Sequence, residues 1–332
     1  MDTVLDTSAG AAVAAAAPYV RPDVQAFLTM IERAGAGSIT TLPIEQARSV
    51  IRTMNDQLDA EPRPLAVIRD LSCPGPAGAI PLRLYDARES RGPGPVVVYF
   101  HGGGFAVGDL DSHHSLCTEL AAELDLPVIA VDYRLAPEHP FPAAPDDCEA
   151  AARWVAASPD ALGRTVTGLI TAGDSAGGNM TIVVTQQLTA EPAAAPVLLQ
   201  APIYPAPDGR FDHPSCREFG EGYLLTRESM EWFSRSYAAK DGDPRAYPIL
   251  GEHRGTPPTV VVTAGLDPLR DGGRDYAAQL ARAGSDVVYL EIRGTIHGFV
   301  NFRKAVPSAQ ADLLSVLAAV RLLLGRVAGQ PA

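Results

Sequence analysis

Short, continuously apolar runs alternate with longer stretches of helical spacing from about residue 95 to the carboxyl end. Residues 95–100 (Pro-Val-Val-Val-Tyr-Phe), 127–131, 165–170, 197–201, 259–264 and 287–292 are short and mostly β-branched or apolar. Strands buried on both faces look like this, because neither side of the pleat meets water. Between them, residues 115–124, about 146–157, 179–189, 274–283 and 308–327 carry apolar positions at helical intervals with few breakers. Strand and helix in strict alternation predict an α/β fold with a mainly parallel central sheet covered by helices on both faces.

Three segments depart from that alternation. Val24, Phe27, Leu28 and Ile31, then Ile44, Ala47, Val50, Ile51 and Met54, predict two amphipathic helices parted at Gly35-Ala36-Gly37. Residues 65–85 predict a hairpin at the sheet edge, broken where Cys73-Pro74-Gly75-Pro76-Ala77-Gly78 resists regular structure. The stretch from Pro205 to about Leu250 holds Phe211, Phe219, Tyr223, Trp232, Phe233 and Tyr237, too aromatic for a polar linker. Residues 1–60 and 205–250 are therefore expected to form a helical cap over a core of residues 61–204 and 251–332.

Composition narrows the setting. A hydrophobic share of 46% with 20% charged residues excludes a disordered chain. The net charge of −12 disfavours nucleic acid and anionic membranes as partners. The alanine-rich residues 9–17 lack the basic flank of a secretion signal, and no uninterrupted apolar run reaches the length of a membrane span. Cys73, Cys117, Cys148 and Cys216 form no close pair, so reduced thiols and a cytoplasmic location are expected, and no metal site is suggested.

The candidate chemistry centres on residues 171–178, Thr-Ala-Gly-Asp-Ser-Ala-Gly-Gly, placed between a predicted strand and a predicted helix. Gly173 and Gly177 flank Ser175 with no Cβ to obstruct a sharp turn, which exposes the hydroxyl at the carboxyl end of the sheet. A serine hydroxyl needs a base, and the base needs a third group to fix its tautomer. Of seven histidines, His297 follows the last predicted strand, whereas His101, His113, His114, His139, His213 and His253 lie elsewhere. Asp267 directly follows the 259–264 strand; Asp271, four residues on, is the competitor and is expected to be structural. Gly102-Gly103-Gly104 after the 95–100 strand, with Ala176, offer backbone N–H groups for an oxyanion. The glycines match neither phosphate-loop spacing, which argues against a nucleotide site.

These residues together resemble the hormone-sensitive-lipase family of bacterial esterases, within the α/β-hydrolase fold. The resemblance rests on His101-Gly102-Gly103-Gly104-Phe105, Tyr133-Arg134-Leu135-Ala136-Pro137-Glu138, Gly173-Asp174-Ser175-Ala176-Gly177-Gly178, Asp267-Pro268-Leu269-Arg270-Asp271 and His297-Gly298-Phe299. It implies Ser175 as nucleophile, His297 as base, Asp267 as acid, and Gly102, Gly103, Gly104 and Ala176 as the oxyanion hole. It further implies a small-molecule ester of short to medium acyl chain as substrate, no cofactor, and a homodimer among the assemblies its members adopt. Phe105, Tyr204, Phe219, Tyr223 and Phe299 are expected to line the pocket. One departure is Gly272, where relatives often carry an acidic residue that braces the acid loop. The same machinery also serves amidases and deacetylases, and a plant hormone receptor shares the fold; the intact Ser175, Asp267 and His297 set argues against a receptor.

Overall fold

A computed structural model describes residues 17–35 and 37–328; the lead-in at 9–16 and Ala36 between the first helices lie outside the described residues. Helices α1 (Pro22–Ala34) and α2 (Ile44–Leu58) precede the sheet, as the two apolar stripes predict. The strands are β1 (Val67–Gly75), β2 (Gly78–Asp86), β3 (Gly94–Phe100), β4 (Val128–Val131), β5 (Val166–Asp174), β6 (Val197–Ile203), β7 (Thr259–Leu266) and β8 (Val287–Ile296). They make an 8-stranded sheet in the order β1-β2-β4-β3-β5-β6-β7-β8, parallel from β4 to β8 and antiparallel at β1 and β2.

The hairpin differs from expectation. β1 continues through Cys73-Pro74-Gly75, with Gly75 paired to Gly78, and only Pro76-Ala77 turn. An edge strand tolerates proline because one of its two sides needs no ladder bonds.

The remaining helices are α3 (His114–Leu124), α4 (Ala143–Ala156), α5 (Ala176–Ala190), α6 (Pro214–Phe219), α7 (Arg227–Tyr237), α8 (Arg270–Arg282) and α9 (Ser308–Ala328). Alternation along β3 divides the core between the two faces. Val97 and Tyr99 pack with Leu116 and Leu120 of α3 and Leu313 and Leu317 of α9. Val96, Val98 and Phe100 pack with Cys148 and Val155 of α4 and Met180 and Val184 of α5. Among the described residues α9 is the one helix long and apolar enough to cross a membrane, yet Leu313, Val316, Leu317, Val320 and Leu323 are buried against the sheet.

The segments outside the alternation are tied to the carboxyl edge of the sheet. The end of α2 is held by a buried Arg303–Asp59 pair at 2.7 Å and by Lys304 and Ala305 N–H groups donating to the Leu58 carbonyl. In the insert, the Ser215 N–H donates to Asp271 (2.9 Å) and its hydroxyl to the Pro268 carbonyl (2.7 Å).

One carboxylate in this frame is electrostatically unfavourable. Asp132, just past β4, has its carboxyl pushed up from 3.8 to about 6 by burial and by the charges of Asp109 and Asp111, against the pull of Arg83 and Arg52. A folded-state pKa above the unfolded one penalises the ionised native state. The penalty is absent below about pH 4, grows between pH 4 and 6, and is complete above. Asp132→Asn is thus expected to stabilise the fold by about 2 kcal/mol at pH 8, allowing for partial exposure, and by nothing at pH 4. Thermal unfolding at the two pH values checks this; an equal shift at both would remove the electrostatic cause.

Candidate active site

Ser175 occupies the corner where β5 meets α5, at φ 56° and ψ −117°. A non-glycine residue adopts such angles only when its surroundings enforce them. Here the enforcement is visible: the Ser175 N–H donates to the Ile203 carbonyl (2.9 Å), and its carbonyl accepts the Asn179 N–H (3.0 Å). The crossing is close enough that a Cβ on Gly177 or Gly173 would collide with the Phe100 carbonyl oxygen.

The candidate acid and base are brought together by strand register. β7 and β8 run parallel with Leu266 opposite Ile296, so Asp267 and His297 leave the sheet side by side. That pairing requires an irregularity between Ala264 and Leu266, where β8 uses four residues against two on β7, with Gly294 at φ 76°. The predicted strand ends at 264 and 292 fell short because this bulge carries both strands further. Asp267 is fully buried; one oxygen accepts the Leu269 N–H (2.8 Å) and the other faces His297 Nδ1 (2.7 Å). An ionised carboxylate only accepts, so Nδ1 carries the ring proton and the Nε2 lone pair faces Ser175 Oγ at 2.9 Å. Tyr204 packs on the imidazole with ring centres 4.6 Å apart.

Asp271 faces elsewhere. It accepts from Ser215 N–H, Arg270 Nε (3.0 Å) and Arg274 Nη1 (3.0 Å). Burial would raise its carboxyl, but these hydrogen bonds hold it below the usual value. This group braces the acid loop that Gly272 leaves without a side chain. A Cβ at Gly272 would lie 3.4 Å from an Asp208 carboxylate oxygen, so an acid there would meet like charge.

The glycine loop leaves β3 beside the elbow, since Phe100 is paired with Gly173. Its three glycines are not equivalent, and the expectation for Gly102 needs correction. The Gly102 N–H already donates to Asp174 Oδ1 at 2.8 Å and is not free for an oxyanion. The N–H groups of Gly103, Gly104 and Ala176 have no acceptor among the described residues. Gly103 and Gly104 hold φ of 118° and 57°, in the left-handed region that favours glycine.

A cavity of about 540 Å³ stands over Ser175 and His297, walled by residues of α1, α2, α7 and the loops between α5 and α7. Of the five aromatics expected in its wall, Phe105 is there, stacked on Tyr237 with ring centres 3.8 Å apart. Tyr204, Phe219 and Phe299 are instead fully buried in the core, and Tyr223 packs edge-on against Phe219; none of the four lines the cavity. The rest of the wall is supplied by residues that were not expected in it, including Met54, Met230, Phe233 and Phe302. Met230, Phe233 and Tyr237 recur at i, i+3 and i+7 on α7, and that stripe was the available signal.

A family model described as the alpha/beta hydrolase fold matches residues 97–301. The chain is 36% identical to the ethyl acetate hydrolase of Pseudomonas putida over 91% of its own length and 98% of that protein's. It is 39% identical to the carboxylic ester hydrolase LipN of Mycobacterium tuberculosis, covering 78% of this chain and 71% of that one. Among solved structures, the ester-hydrolase EH1AB1 from the metagenome of Lake Arreo, complexed with a bipyridine phosphonate derivative, superposes with a TM-score of 0.87. That pair shares 36% identity and covers 92% of this chain and 99% of the other.

Proposed function

The chain belongs to the alpha/beta-hydrolase family, in its hormone-sensitive-lipase branch, and on that premise we propose a carboxylesterase that uses Ser175 as its nucleophile. The observation that carries the proposal is the continuous hydrogen-bond chain Asp267–His297–Ser175, set beneath a cavity and beside N–H groups that have no acceptor among the described residues. Ser175 Oγ attacks the ester carbonyl carbon as its proton passes to His297 Nε2. Asp267, hydrogen-bonded at Nδ1, stabilises the imidazolium that results. The N–H groups of Gly103, Gly104 and Ala176 receive the negative oxygen, each worth about 3 kcal/mol when aimed at the charge that develops. Collapse breaks the bond to the alcohol, which departs with the His297 proton. Water then attacks the acyl-serine with His297 again taking a proton, and the carboxylic acid is released.

In this proposal α1, α2 and the 205–250 insert form a cap that shapes the substrate cavity, supported by the residues both segments contribute to its wall. A cytoplasmic location is proposed on the four cysteines, all free and buried.

Short and medium acyl chains are the proposed substrates, and Phe233 is the residue expected to restrict bulk near the carbonyl. Its ring lies so close over Gly104 that a Cβ there would overlap it. Hydrolysis of p-nitrophenyl esters from acetate to palmitate tests the reading, with activity expected to peak at short or medium chains. Phe233→Ala should raise kcat/KM for a branched ester such as isobutyrate relative to acetate by about tenfold, the lower end of what one methylene is worth in a hydrophobic pocket. No turnover of any ester would defeat the esterase proposal, and an unchanged branched-to-linear ratio would free Phe233 of its role.

A further inference from the structure

Asp174 is a buried carboxylate next to the nucleophile, yet the hydrogen-bond chain of Asp267, His297 and Ser175 does not use it. Five groups converge on it. Oδ1 accepts from the Tyr99 hydroxyl (2.7 Å) and the Gly102 N–H (2.8 Å) and lies 3.3 Å from His113 Nε2. Oδ2 faces Asn301 Nδ2 (3.2 Å) and the Tyr204 hydroxyl (3.4 Å).

These groups come from β3, the glycine loop, the residue preceding α3, the residue following β6, and the turn four residues past His297. Tyr204 in turn packs on the His297 ring. Asp174 therefore touches the glycine loop and the turn that follows His297, as well as adjoining Ser175 itself. Burial alone would raise its carboxyl, but interaction with His113 and the surrounding hydrogen bonds lower it to about 2, which favours the ionised, accepting form at neutral pH.

The carbonyls of the glycine loop have anchors of their own. His101 Nδ1 is 2.8 Å from the Gly102 carbonyl, and the Tyr133 hydroxyl holds the His101 carbonyl at 2.7 Å. Each peptide plane carries one carbonyl and the next residue's N–H, so the first contact bears on the Gly103 N–H and the second on the Gly102 N–H; the Gly103 carbonyl, in plane with the Gly104 N–H, accepts from the Ala106 (3.1 Å) and Val107 (2.9 Å) N–H groups. A buried N–H without an acceptor is costly, so Asp174 fixes the first of these planes from its N–H side and is the one of these contacts that ties the loop to the residue beside the nucleophile.

We propose that Asp174 is the positioning residue of the oxyanion hole: by taking the Gly102 N–H, it holds the glycine loop against the corner that carries Ser175, so that the next two N–H groups, of Gly103 and Gly104, meet the oxygen of the substrate. This rests on the esterase reading, and it assigns to a residue outside the triad a share of transition-state binding. Gly102 then acts as an anchor, and only the later two glycines act as donors.

The test compares Asp174→Ala with Asp174→Asn on p-nitrophenyl acetate, with kcat expressed per serine titrated by a fluorophosphonate. Alanine releases the Gly102 N–H, and kcat should fall about 100-fold, the scale of a missing oxyanion donor. KM should stay within about threefold, because ground-state binding is untouched. Inhibition by a trifluoromethyl ketone, which forms the oxyanion, should weaken in step with kcat, while inhibition by free acetate should not. Asparagine keeps an oxygen for Tyr99 and Gly102, and its amide nitrogen can meet Asn301 turned over, since Asn301 Oδ1 has no partner among the described residues. It should recover activity to within about tenfold of wild type.

If alanine does not fold, Gly102→Ala decides. Its Cβ would lie 2.5 Å from Asp174 Oδ2, so it must displace the carboxylate and should reproduce the fall in kcat at similar KM. A kcat within about threefold of wild type in Asp174→Ala or Gly102→Ala, an equal fall in Asp174→Asn and Asp174→Ala, or a rise in KM that carries the whole effect would each overturn the proposal. Turnover by wild type separates this from the esterase reading: that reading fails only if wild type cleaves no ester.

Discussion

Ser175→Ala is expected to lower kcat on p-nitrophenyl acetate by about a million-fold while leaving the fold in place. The size follows from non-additivity: without the nucleophile, His297 has no proton to take and Asp267 nothing to orient, so one deletion costs as much as removing all three would. Alanine keeps the Cβ of serine, so the unusual angles at position 175 are neither relieved nor worsened. The substitution removes only the 2.9 Å hydrogen bond to His297 Nε2, worth about 1 kcal/mol net, which predicts a melting shift of only a few degrees. Residual hydrolysis above the water rate should persist, because the cavity and the glycine N–H groups still bind and polarise the ester. Steady-state kinetics with thermal unfolding of the same samples checks both parts. A variant retaining about a tenth of wild-type kcat would place the nucleophile elsewhere.

Much of this site was legible because each part depends on a local pattern. Gly173 and Gly177 announce the elbow, since the strand–helix crossing admits no Cβ there. The strands announce themselves as apolar runs, and His297 and Asp267 as polar residues close behind them. What was hidden is what depends on register and on distant partners. The bulge near Gly294 shifts β8 against β7 and sets His297 beside Asp267, and no local pattern of hydrophobicity signals which residues pair across two strands. Gly102 opens the same glycine run as its two neighbours, yet an acceptor 72 residues away claims its N–H. The aromatic residues of the insert were similarly ambiguous: Phe219 and Phe233 differ in whether the chain folds over them or leaves them facing the cavity.

The same attention to partners separates the two carboxylates of the acid loop. Asp267→Asn is expected to lower kcat by about ten-thousand-fold with KM little changed, whereas Asp271→Asn should leave kcat within about threefold of wild type. Leu269 N–H demands an acceptor on one side of residue 267, so the asparagine oxygen belongs there and the amide nitrogen takes the position of Oδ2. That nitrogen donates to His297 Nδ1, the ring proton moves to Nε2, and the imidazole presents an N–H to Ser175 where a lone pair is required. The opposite amide orientation restores the tautomer but leaves the Leu269 N–H facing a donor, at a cost of about 1–3 kcal/mol, and it still lacks the charge that stabilises the imidazolium. Asp271 by contrast bonds Ser215, Arg270 and Arg274, so its amide should loosen the insert and lower the melting temperature without reaching the chemistry. Kinetics and thermal unfolding of the two variants distinguish these outcomes. A large fall in kcat for Asp271→Asn with near-normal Asp267→Asn would transfer the role of acid to Asp271.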